Sequence, residues 1–188
     1  MSGSRNIDPQ SPAKRSVSSA FSPDPAVCAR CHRGGGGCCR RGKDEAGWAF
    51  GLSRVELETL AAASSLDPKR FATPLPPGEA LPPEAESLAP ALASSLLRGG
   101  RWRLRADHSG ACVFLGAAGC RLPRPARPLF CRLYPFLFGA GGVLLVVASS
   151  ECLAWRRARG HPRALMRLLG TTRAELRALY QRLVALAG

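Results

Sequence analysis

The side chains with the clearest chemistry in this sequence are eight cysteines: Cys28, Cys31, Cys38, Cys39, Cys112, Cys120, Cys131 and Cys152. Cys28-Ala29-Arg30-Cys31 is a CxxC. Two intervening residues let a tight turn aim both sulfurs at one ion, at bond lengths of ~2.3 Å for zinc. Cys38-Cys39 is a vicinal pair, and adjacent residues point in different directions. One thiol can therefore serve an ion while its neighbour serves a second ion or none. Gly34 to Gly37 give the intervening loop the freedom to wrap back toward the CxxC. Arg30, Arg33, Arg40 and Arg41 lie nearby and would favour the thiolate form. The competing reading of each cysteine is a buried apolar thiol. It is strongest for Cys131, set in Leu129-Phe130-Cys131-Arg132-Leu133, and weakest for the four cysteines among Arg and Gly.

Compartment decides between ligands and bridges. Met1 to Ser19 is polar, without the apolar run of a secretory signal, so a cytoplasmic protein is expected. Structural disulfides are rare in that reducing environment. The cysteines then read as metal ligands or redox groups. In an exported protein the same eight would read as a disulfide framework.

Charge is less specific. Among 188 residues, 27 are basic and 13 acidic, for a net charge of +14. That balance raises nucleic acid or an anionic surface as a partner. Lys14, Lys43 and Lys69 are the only lysines, however, and the chain is also rich in Ala, Gly and Pro. Arg with those three is a compositional habit, and no long basic run is interleaved with aromatics. Nucleic acid is therefore not favoured. Leu133 to Ala148 is apolar but too short for the ~20 residues of a spanning helix, and it carries Pro135 and three glycines. It reads as a β-hairpin, and no membrane partner is expected.

The elements that must position the cysteines follow from periodicity and caps. Residues 1–26, with Pro9, Pro12, Pro23 and Pro25, read as a disordered tail, and 27–188 as one cysteine-cluster metal-binding domain. Ser53-x-x-Glu56 has capping-box spacing and predicts a helix over 54–65. Residues 67–83 read as a Pro-rich connection, and Leu88, Leu92 and Leu96 as a short helix. Alternation over 101–107 predicts a strand with a basic face. Cys112–Leu115 and Cys120–Leu122 read as a hairpin with one cysteine on each arm. A helical turn over 127–133, a hairpin over 136–149, and helices over 162–169 and from Thr172 onward complete the pattern. Leu176, Leu179, Tyr180 and Leu183 give the last helix one apolar face. The expected class is α+β: a small cysteine-rich, metal-organised domain with short hairpins and several helices.

These blocks carry a resemblance. Cys28-x2-Cys31, Cys38-Cys39, Gly110-Ala111-Cys112-Val113-Phe114-Leu115, Gly119-Cys120, Ala126-Arg127-Pro128, Cys131-Arg132-Leu133-Tyr134-Pro135-Phe136 and Glu151-Cys152 resemble the YkgJ-type cysteine-cluster family. This is the CxxCxxxCC zinc- or iron-chelating domain, and the resemblance spans about residues 28–152. Two features depart from it. Six residues, His32 to Gly37, separate the CxxC from the CC pair where the family has three. Leu122-Pro123 stands where an aromatic often follows the hairpin's second cysteine. The resemblance implies zinc or iron as cofactor, the iron case including an iron–sulfur cluster, with all eight cysteines as candidate metal ligands. A related cluster in flagellin lysine N-methylases implies, as an alternative, a metal- or cluster-dependent protein methyltransferase-like enzyme. A second alternative is an Arg-rich nucleic-acid-binding zinc module.

Other candidates are thinner. His32 offers an imidazole beside Cys31, and His108 lies near Cys112. Arg127 and Arg132 flank Cys131 and read either as charge compensation for thiolates or as a solvated helix face. No paired carboxylates, GxSxG or HExxH occur, so the common hydrolase chemistries find no support. No catalytic residue and no protein partner is assigned.

Overall fold

Amphipathic periodicity concentrates after residue 128, whereas the sequence before it is broken by Pro and Gly. The fold divides along the same line. A computed structural model describes residues 22–24, 26–33, 38–40, 51–75, 102–148 and 151–186. The chain is α+β. Helix α1 spans Val27–Arg33, α2 Arg54–Ser64 and α3 Pro68–Phe71. Strands β1 (Ala72–Pro74) and β2 (Trp102–Leu104) pair antiparallel, with Thr73 opposite Arg103. Strands β3 (Leu115–Gly116) and β4 (Gly119–Cys120) form a minimal hairpin. A 3-10 turn over Arg124–Ala126 leads into α4, Leu129–Leu133. Strands β5 (Phe136–Phe138) and β6 (Leu144–Val146) form the third antiparallel pair. Helices α5 (Leu153–Arg157), α6 (Pro162–Leu168) and α7 (Arg173–Ala185) follow.

The larger core gathers Leu129, Phe130, Leu133, Phe136, Leu137, Leu165, Leu176, Leu179 and Leu183, with Val27 of α1. Helix α7 lays its apolar face on α4 and β5. Tyr180 meets Phe138 with ring centroids 5.3 Å apart, while Arg173, Arg177 and Arg182 stay exposed. Thr172 accepts from the Glu175 amide, the side-chain cap its position predicts. The smaller core holds Leu52, Leu57, Leu60, Phe71, Ala72, Phe114 and Leu122. Phe71 and Phe114 pack with centroids 5.4 Å apart. Its α2 carries the complete capping box: Ser53 Oγ accepts from the Glu56 amide, and Glu56 Oε2 accepts from the Ser53 amide.

Glu56 also joins the two cores. It is 7 % exposed, and its Oε1 accepts from the Leu129 amide at 2.9 Å, at the first turn of α4.

Several expectations are corrected. The CxxC lies on helix α1, not in a tight turn, so Cys28 and Cys31 share a helix face by their i, i+3 spacing. The Pro-rich connection contains α3 and β1: Asp67 caps α3 through the Lys69 amide, and Pro68 suits a first helical position. Cys112 lies outside the hairpin arms, in an isolated bridge to Ala106, because the paired strands are only two residues long. Helix α5 carries too few residues for its periodicity to show in sequence. The helix expected around Leu88–Leu96 and the Gly34–Gly37 loop lie outside the described residues, as do residues 1–21 and 25 of the expected tail. Asp24 is fixed to the body: its amide donates to the Leu168 carbonyl, and its carboxylate pairs with Arg30 and Arg157. Among the described residues no helix is long and apolar enough to cross a membrane, and the apolar stretch after Leu133 is the β5–β6 hairpin.

Candidate metal centre

All eight cysteines line one cavity of about 200 Å³ between the two cores. All eight are free thiols. Helix α1 contributes Cys28 and Cys31. It packs against α5, whose N-cap is Cys152. The Leu153 amide donates to Cys31 Sγ at 3.5 Å, and the Cys31 thiol faces the Glu151 carbonyl at 3.9 Å. Asp24 closes this corner by holding Arg30 of α1 and Arg157 of α5 on one carboxylate.

The β3–β4 hairpin brings Cys120 to the same wall. Gly119 sits at φ +96°, and a Cβ there would meet Ala29 at 3.4 Å, so a glycine suits both the turn and the close approach to α1. Cys112 is tied to the vicinal pair by main chain: its amide donates to the Cys39 carbonyl at 2.8 Å, and Arg40 bridges Ala111. Cys131 enters from α4, whose first turn Glu56 holds.

Most of these thiols are pushed toward their neutral form. Burial raises Cys28 and Cys152, lifts Cys112 to about 11, and lifts Cys131 far above the ordinary thiol range. The pair Cys38–Cys39 divides. The hydrogen bond between them raises Cys38 and lowers Cys39 to about 7. Arg127 adds a smaller lowering at Cys39 and Cys28.

The arginines separate by position. Arg127 lines the cavity and is anchored on the Leu122 carbonyl at 3.0 Å and the Cys120 carbonyl at 3.5 Å. Its place on the wall sets it apart from a solvated helix face. Arg132 is not on the cavity wall; it reaches the Pro125 carbonyl at 3.5 Å. Arg30 and Arg40 are likewise off the wall, in contacts with Asp24 and Ser109, and Arg41 lies outside the described residues. His108 is exposed and does not line the cavity. Arg124 is a lining residue that sequence reasoning missed. It donates to the Leu169 carbonyl and faces Glu175 at 3.7 Å. Nothing in its Pro-rich surroundings marks it.

The donor set suits a thiophilic metal. Soft thiolates select zinc and iron–sulfur clusters over the oxygen-seeking cations. Among the described residues, no group of three or more His, Cys, Asp or Glu is set at ion-holding separations. The thiols stand around the wall of the cavity. No family model, curated protein or solved structure matches this chain.

Proposed function

We propose that this protein binds zinc or iron, the iron case including an iron–sulfur cluster, through the thiolates of Cys28, Cys31, Cys38, Cys39, Cys112, Cys120, Cys131 and Cys152. One observation carries the reading: cysteines far apart in sequence, on helices, a hairpin and a loop, line a single cavity as free thiols. Apolar burial alone gives no reason for all eight to meet. Arg127 supplies positive charge at the wall, which would offset the negative charge of thiolate ligands. A reducing cytoplasm would keep the thiols available. The sequence blocks that resemble the YkgJ-type family fall on this wall, and we propose membership of that family on those residues.

The test is anaerobic purification of the full chain with metal analysis and a visible spectrum. Bound zinc, or iron with broad thiolate-to-iron absorption, is the expected result. A chain that holds neither metal, and takes up neither Zn²⁺ nor iron with sulfide, would overturn the proposal.

A further inference from the structure

We infer that the cavity is built for two metal centres, one held by Cys28, Cys31 and Cys152 and the other by Cys112, Cys120 and Cys131, each completed by one thiol of the Cys38–Cys39 pair. The inference rests on the metal-binding reading above and adds number and partition to it.

Coordination arithmetic comes first. A structural zinc ion takes four ligands, and the common iron–sulfur clusters also take four cysteines. One centre would leave half of the eight thiols on the cavity wall without a role. The cavity volume, about 200 Å³, is also more than ten times the ~10–15 Å³ that a single water-sized occupant needs.

The partition follows the elements. Cys28 and Cys31 share the α1 face, α1 packs on α5, and Cys152 caps α5 next to the Leu153 amide that meets Cys31. These three thiols sit on one mechanical unit clamped by Asp24. Cys112 and Cys120 pack against the smaller core. Cys131 joins them through α4, which Glu56 of that core holds by its first amide. The vicinal pair is the remaining element. The Cys39 carbonyl is bonded to the Cys112 amide, and the Cys38 and Cys39 thiols are hydrogen-bonded to each other, so the pair stands between the two sets and supplies the fourth ligand of each.

The experiment is a Co²⁺ titration of the full-length, metal-free chain under anaerobic conditions, followed by absorption in the thiolate charge-transfer region. Saturation at about two equivalents per chain is expected from four thiolates per ion. Saturation at one equivalent, with metal binding intact, overturns the two-centre inference and leaves the metal-binding reading standing. Absence of any Co²⁺, Zn²⁺ or iron binding overturns both. The partition is read from two double variants, C28S/C31S and C112S/C120S, each expected to keep half of the wild-type metal content. A folded variant that loses all metal shows a single shared centre. If either variant fails to fold, competition between one and two equivalents of Zn²⁺ and Co²⁺ on the wild-type chain decides the number.

Discussion

The two cores of this protein solve the same problem with different means. The core around α4, β5, α6 and α7 buries fifteen residues among those described, most of them large and supplied by segments with clear helical or strand periodicity. The core around α2, β1 and β2 buries seven among the described residues, supplied by one capped helix, short strands and single residues such as Phe114 and Leu122. A region with that little apolar burial commonly needs a staple such as a metal or a disulfide. Cys112 and Cys120 pack against this smaller core. The contrast teaches that the thiols line the seam between a well-filled core and a thin one.

Metal removal should break the comparison most sharply. Trp102 packs against the smaller core and Trp155 against the larger. In chains whose sole tryptophan is Trp102 or Trp155, the metal-free protein should lose the native Trp102 signal at lower denaturant than the native Trp155 signal. In small zinc domains the metal contributes roughly 10–16 kcal/mol to folding, so the effect at Trp102 should be large. Simultaneous loss of both signals would show one cooperative unit instead of two unequal cores.

A cut into the larger core should be the next largest effect. Leu179 is 3 % exposed and lies on α7, which has no residue on the cavity wall. Leu179→Ala should cost about 2–5 kcal/mol in denaturant unfolding, with metal per folded chain unchanged. A parallel fall in metal content would mean that α7 supports the centre more directly than its packing on α4 and β5 implies.

The smallest effects compare the two capped helices. Thr172→Ala should cost about 1 kcal/mol by loss of the α7 cap. Ser53→Ala removes the same kind of cap from α2, and also a hydroxyl that donates to Glu56 Oε2 at 2.9 Å. It should therefore cost more than Thr172→Ala, because it leaves a buried carboxylate with one partner fewer. Equal costs in thermal unfolding would show that Glu56 is satisfied without Ser53 Oγ.

Legibility in sequence followed the same division. The α7 face, the β5–β6 hairpin and both caps were readable because their signals are local: spacing of Leu and Ser-x-x-Glu or Thr-x-x-Glu. The gathering of cysteines was readable only as chemistry, since no local rule says that Cys152 meets Cys31 across α1 and α5. The helical setting of the CxxC was missed because α1 is seven residues long, with a glycine run behind, and because Asp24, whose carboxylate accepts from the Ala26 amide in front of it, reads in sequence as part of a Pro- and Ser-rich tail. Asp24 was missed because a carboxylate in a Pro- and Ser-rich stretch looks like tail until its two arginines are seen.

Glu56 has a consequence for how this chain can vary. One carboxylate caps α2 and also holds the first turn of α4, so position 56 must present two acceptor oxygens and no donor. Gln would turn an NH₂ toward either the Ser53 or the Leu129 amide, setting donor against donor. Asp is one methylene short of spanning both. The two halves of the molecule therefore cannot drift apart in sequence independently: a descendant that reshapes the entry to α4 must reshape the start of α2 in the same step.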